Sequence, residues 1–114
     1  MNIKRAGIYL AALDPVVGKE IAKTRPVVVV SNDKNNQYSD TVTVLPLTSS
    51  KSESVYPFEV FLERGRADLP KDSKVKANQI RTLDKSRLIK FIGRLDDNDV
   101  VAINKAMKIH LGID

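Results

Sequence analysis

One arginine stands where a polar segment turns into a rigid one, in Lys23-Thr24-Arg25-Pro26-Val27-Val28-Val29-Val30-Ser31. The valine run predicts a strand buried on both faces, because β-branched side chains are stiff and pack well on a pleated surface. Pro26 suits the first residue of such a strand, where its missing N–H removes no ladder bond. Arg25 is then held from behind and faces water in front, a geometry suited to gripping a phosphate. The alternative is a surface arginine flanking a core strand. A second set of candidate groups is the hydroxyl-rich run after Leu47, Thr48-Ser49-Ser50-Lys51-Ser52-Glu53-Ser54.

Other chemistries find few residues. There is no cysteine, which excludes disulfides and a thiolate nucleophile. His110 is the only histidine, so no two-histidine acid/base pair exists within one chain, and no metal site is expected. Its place near the end of the last predicted helix suits a structural role. Asp96, Asp97 and Asp99 fall at a helix start, where carboxylates complement the macrodipole, and capping outweighs metal binding there. The net charge of +5 favours polyanionic partners. Arg25, the hydroxyls after Leu47, and Lys19, Lys23, Lys51, Lys76 and Arg81 could build a groove for single-stranded nucleic acid, or simply a solvated surface. Tyr56 is the best base-stacking candidate; a core role is its alternative.

These residues need a scaffold, and the pattern predicts one. A chain of 114 residues, 42% hydrophobic and 29% charged, is read as a single folded domain, residues 1–114. Strands are expected at Gly7–Leu13, Pro26–Ser31 and Thr41–Leu47, around Phe58–Glu63, and at Val75–Arg81 and Leu88–Leu95. In the fourth of these, Phe58, Val60 and Leu62 alternate with Glu59, Phe61 and Glu63, a half-buried pattern. Pro15–Thr24 is a long loop, and Asn32–Asn36 is turn chemistry. Thr82-Leu83-Asp84-Lys85 looks like a helix start. Asp96 or Asp97 caps a last helix in which Val100, Ile103, Met107 and Leu111 form a stripe, and Gly112 ends it. The fold class is mainly β with α: a small, strongly bent antiparallel barrel of SH3-like form with a C-terminal helix. Lys4-Arg5 before the apolar run Ala6–Leu13 has the look of a signal peptide, but Asp14 cuts the run short and no small-residue cleavage site follows. No segment approaches transmembrane length, and a cytoplasmic protein is expected.

Several pieces together are familiar. Gly7-Ile8-Tyr9, Asp14-Pro15-Val16-Val17-Gly18-Lys19-Glu20, Thr24-Arg25-Pro26-Val27-Val28-Val29, Ser31-Asn32-Asp33 and Leu47-Thr48 resemble the MazF/PemK family of toxin endoribonucleases. So do Gln79-Ile80-Arg81-Thr82-Leu83-Asp84-Lys85 and the closing Leu111-Gly112-Ile113. The resemblance runs in order along nearly the whole chain. It implies a bent barrel working as a homodimer and a toxin of a type II toxin–antitoxin system. It also implies cleavage of single-stranded mRNA at short sequences, without a cofactor or metal. The ribose 2′-OH attacks the adjacent phosphate and leaves 2′,3′-cyclic phosphate and 5′-OH ends. On the family pattern Arg25 and Thr48 are the catalytic pair, donating hydrogen bonds to phosphoryl oxygens.

The resemblance makes Pro15–Thr24 a mobile substrate loop, with Lys19, Glu20 and Lys23 as RNA contacts. Ser49 and Lys51 of the hydroxyl-rich run join them, with Tyr56 in the loop after it, and Asn78 and Gln79 carry amides able to read base edges. Asn78 stands where some relatives have an acidic residue, and Lys23-Thr24 where others have glycine; both bear on which RNA sequence is recognised. The family further implies an antitoxin whose acidic, disordered tail lies in the RNA groove. Two alternatives remain at this stage: a gyrase poison of CcdB type, and a non-catalytic basic barrel that binds RNA.

Overall fold

The valine run becomes the centre of the sheet. In the computed structural model, which describes residues 1–114, β1 (Gly7–Ala12), β2 (Thr24–Val29) and β3 (Thr41–Thr48) lie side by side, antiparallel. Val27, Val28 and Val29 are all buried, but they serve two cores. Val28 packs with Ile8, Leu45, Leu47 and Leu62, and with Ile103 and Ala106 of the last helix. Val27 and Val29 pack with Tyr9, Ala11, Val42, Val44 and Leu83. Each such valine stabilises the fold by about 2 kcal/mol through removal from water.

The remaining elements are α1 (Asp33–Tyr38), β4 (Glu59–Leu62), β5 (Ser73–Lys76), β6 (Arg81–Asp84), β7 (Leu88–Arg94) and α2 (Asp97–Leu111). The strand order is β4-β5-β3-β2-β1-β7, with β6 also on β3. No ladder joins β4 to β7, so the bent sheet stays open and the barrel of the sequence reading is only approximate. On that open side the turn at Arg66–Asp68 packs against Gly93 of β7. A Cβ at Gly93 would run into the Ala67 backbone carbonyl.

Four local expectations are corrected. Asn32–Asn36, expected as a turn, forms most of α1: the Asn32 side chain accepts from the Asn35 N–H at 2.8 Å, and buried Asn36 donates to the Ser31 carbonyl at 2.8 Å. Thr82–Lys85 is not a helix start. Thr82–Asp84 lies in β6, where Leu83 pairs with Val42 and Thr82 with Thr43, and a full ladder outweighs a local cap. Asp84 caps only the 3₁₀ turn Lys85–Arg87. The single strand expected at Val75–Arg81 is split by the 3₁₀ turn Ala77–Gln79, and its two parts pair with opposite ends of β3. In β4 the alternation holds at buried Leu62 and exposed Phe61 but breaks at Glu59, which is buried because Lys74 and Lys76 of β5 lie 3.0 and 3.1 Å from its carboxylate.

Helix α2 begins at Asp96, which accepts from the Asp99 N–H at 2.9 Å, and ends at Gly112 with φ 69°. Ile103 is buried and Val100 and Met107 pack beside it, whereas Leu111 is half-exposed. No helix is long and apolar enough to cross a membrane.

Candidate active site

The cleft forms where the β2–β3 ladder fails. That ladder runs from Val29↔Val44 to Val27↔Pro46 and stops there. The next residues bring in Pro26 as well as Pro46, and neither has an N–H to donate. Continued two residues further, the same register sets Arg25 across from Thr48, the last residue of β3. At its end β3 turns to β5, pairing Leu47 with Val75 and Thr48 with Lys74.

The resulting opening has a volume of about 520 Å³. Arg25 and Thr24 line it from β2, Thr48 and Ser49 from the end of β3. Leu10, Pro26, Leu47 and Ile92 supply apolar surface. The segment between β4 and β5 contributes Asp68, Pro70 and Lys71, β5 contributes Ser73, and β7 contributes Lys90. The cleft thus holds three cations, Arg25, Lys71 and Lys90, against the single carboxylate of Asp68.

The two central side chains are tethered without being used up. Arg25 Nε donates to the Ala22 carbonyl at 2.7 Å, and no protein acceptor engages its Nη groups. Thr48 Oγ1 accepts from the Ser50 N–H at 3.2 Å, which leaves its O–H free to donate. A guanidinium fork and an alcohol, both half-buried on one cleft, can together bind the non-bridging oxygens of a phosphodiester.

Ser49 apart, the other expected contacts stand outside the cleft. Lys19 is exposed, and Lys23, at φ 71°, is exposed with its N–H on Asp14 Oδ1 at 3.1 Å. Glu20 turns back to accept the Val17 N–H at 2.7 Å. Lys51 and Asn78 are exposed. Tyr56 is not in the core: its ring stacks on Phe58 at 5.6 Å between centroids, with Lys74 Nζ 5.9 Å from its centre and 59% of the residue exposed. Gln79 differs from expectation, since its amide faces protein. The Ile21 N–H donates to its Oε1 at 3.2 Å, and its Nε2 donates to the Lys19 carbonyl at 3.4 Å.

Two basic residues expected in a groove do other work. Lys76 pairs with Glu59, and Arg81 donates to the Leu13 carbonyl at 3.1 Å. In their place stand Lys71, Lys90 and Asp68. Lys90 interrupts the apolar run Leu88–Ile92, a visible signal, but only its pairing with Leu10 puts it at the cleft. Lys71 and Asp68 gave no signal, because their segment is placed by a long-range contact with β7.

Glu59, behind Tyr56 and outside the cleft, is a buried ionised group. Burial alone would raise its pKa, but the Tyr56 N–H and the Lys74 and Lys76 ammonium groups outweigh it and hold the carboxyl below its ordinary value. Lys74 Nζ also donates to the Ser54 carbonyl at 2.7 Å, pinning the loop that follows Thr48. No three His, Cys, Asp or Glu side chains are gathered into a potential metal site.

Known proteins are similar to this chain in sequence and in fold. A family model described as PemK-like, MazF-like toxin of type II toxin-antitoxin system matches residues 4–111. An endoribonuclease MazF of Staphylococcus saprophyticus is 40% identical over 111 residues, covering 97% of this chain and 92% of that protein. An endoribonuclease MazF of Staphylococcus epidermidis is 39% identical over 112 residues, covering 98% and 93%. Among solved structures, MazF of Deinococcus radiodurans superposes with a TM-score of 0.85 at 24% identity, over 99% of both chains. A mycobacterial endoribonuclease in complex with its cognate antitoxin gives 0.81 at 24% identity, over 98% of this chain and 97% of that one.

Proposed function

The chain belongs to the PemK-like, MazF-like toxin family of type II toxin–antitoxin systems and is an endoribonuclease; from that premise we propose that it cuts single-stranded mRNA in the cleft between Arg25 and Thr48. RNA carries its own nucleophile. The 2′-OH attacks the adjacent phosphorus and the bond to the 5′-oxygen breaks, giving a 2′,3′-cyclic phosphate and a 5′-OH end. The protein's task is to orient that attack and stabilise charge on the phosphoryl oxygens. The free Nη groups of Arg25 and the free O–H of Thr48 meet those oxygens. Lys71 and Lys90 neutralise neighbouring phosphates. With charge handled by these groups, the reaction is metal-independent.

The observation that carries this reading is the shared cleft: the fork and the alcohol line one opening, each with its donors unspent. Lys19, Glu20, Lys23, Ser49, Lys51 and Asn78 are proposed RNA contacts along the rim, and Tyr56 offers an exposed ring for stacking. A cognate antitoxin with an acidic, flexible tail is the protein partner, since its carboxylates suit the same cations. The working unit is a homodimer in the cytoplasm; Ile89 and Phe91, more than half exposed on the unpaired edge strand β7, are apolar surface available to a second copy.

The test is incubation with mixed RNA in EDTA, followed by mapping of the new ends. Cuts at a short common sequence with 5′-hydroxyl termini are expected. Bound but intact RNA would sink the reading.

A further inference from the structure

The sequence makes Gln79 a base reader, yet both poles of its amide are occupied by the loop between β1 and β2. We infer that Gln79 is a positioning residue: it latches that loop to the 3₁₀ turn after β5 and, through the loop, sets the Arg25 guanidinium. This rests on the proposal that Arg25 acts at the phosphate.

The connection is short and continuous. Gln79 Oε1 accepts from the Ile21 N–H at 3.2 Å and Nε2 donates to the Lys19 carbonyl at 3.4 Å. One residue beyond Ile21, the Ala22 carbonyl accepts from Arg25 Nε at 2.7 Å. The amide's orientation is dictated by its partners: one is a backbone donor and the other a backbone acceptor, so a flip would oppose like with like. Ile21 adds an apolar anchor against the second core. The base of the loop is closed separately, by the Leu13 N–H on the Lys23 carbonyl at 2.9 Å and by Arg81 and Arg87 on carbonyls of residues 12 to 14. Gln79 is therefore the one side chain outside the loop that hydrogen-bonds its middle, next to the Ala22 carbonyl that tethers Arg25.

The other end of the latch is equally informative. The 3₁₀ turn Ala77–Gln79 continues β5, and Lys74 of β5 pairs directly with Thr48. One rigid unit thus flanks the alcohol and grips the loop that holds the guanidinium. A small error in the distance between the two donor groups is costly, since misplacement by about 1 Å can slow a reaction by about a hundredfold.

A double-mutant cycle tests this on the intact protein, using single-turnover cleavage of mixed RNA. Gln79→Ala should slow the cutting step by about ten- to a hundredfold, with KM and the cut-site pattern unchanged. Added to Arg25→Ala, it should cause no further loss. The Ile21 amide should lose protection from hydrogen exchange while the β2 and β3 amides keep theirs. Gln79→Glu keeps the acceptor for Ile21 but sets a carboxylate on the Lys19 carbonyl. Its rate relative to wild type should recover as the pH falls through about 4 to 5, where the carboxyl regains an O–H to donate. That series carries the test alone if Gln79→Ala does not fold.

An altered cut sequence at near-normal rate would restore base reading and overturn the latch. So would a full additive loss in the double mutant. Should Arg25→Ala cut as fast as wild type, the catalytic assignment falls and the latch with it; a crippled Arg25→Ala with an additive cycle removes the latch alone.

Discussion

In the proposed reaction Arg25 and Thr48 contribute unequally, because their donors differ in number and charge. The guanidinium offers a charged, planar fork whose Nε is already tethered to Ala22; the threonine offers one neutral O–H. Loss of Arg25 should therefore cost more. Arg25→Ala is expected to slow cleavage by about a hundredfold or more, and Thr48→Val, which keeps the shape and removes only the hydroxyl, by about tenfold or more. Arg25→Lys should recover little, since an ammonium keeps the charge but lacks the fork. Single-turnover rates on one RNA, with folding checked by thermal melting, decide this; equal rates for wild type and Thr48→Val would remove Thr48 from the site.

At the scale of elements, two packing features hold the cleft walls. Gly93 lets the Arg66–Asp68 turn approach β7, and that turn leads into Asp68, Pro70 and Lys71 on the cleft. Gly93→Ala drives a Cβ into backbone, so it should cost about 1 to 3 kcal/mol and also weaken RNA binding, because the wall must move. A melting temperature equal to wild type would refute that contact. The second feature is Glu59 between Lys74 and Lys76, which ties β4 to β5 and pins the loop after Thr48. Its pKa is lower folded than unfolded, so its stabilisation is complete above the unfolded carboxyl pKa and is lost as pH falls through the folded value. Denaturant titrations from pH 7 to about pH 3 should show a shallower acid limb for Glu59→Gln, with lower stability at neutral pH from the two ammonium groups left without a counter-charge.

At the scale of the whole molecule, charge and shape act together. The excess of five positive charges is spread over the surface, but the bend of the sheet concentrates Arg25, Lys71 and Lys90 on one opening. Affinity for single-stranded RNA should fall with salt, each neutralised phosphate adding about 0.7 to the log–log slope. With a 2′-O-methyl RNA, which binds but lacks the nucleophile, Lys71→Ala and Lys90→Ala should each reduce that slope by about 0.7, and Lys34→Ala, on exposed α1, should leave it unchanged. An unchanged slope for both cleft variants would mean that RNA lies elsewhere.

Much was legible in the residues themselves. The valine run announces a doubly buried strand because β-branched side chains admit few other settings, and Asp96 and Gly112 mark the ends of α2 because capping is local chemistry. Arg25 at a loop–strand boundary and the hydroxyls after Leu47 were visible for the same reason. The sequence could not say that Thr82–Asp84 would pair with β3, that Glu59 would be buried, or that Gln79 would face the loop. Each depends on a partner far along the chain, which local propensity does not see. Whether Lys71 and Lys90 share an opening with Arg25 was decided only when the sheet bent, because that bend is a property of the whole set of strands and of no single one.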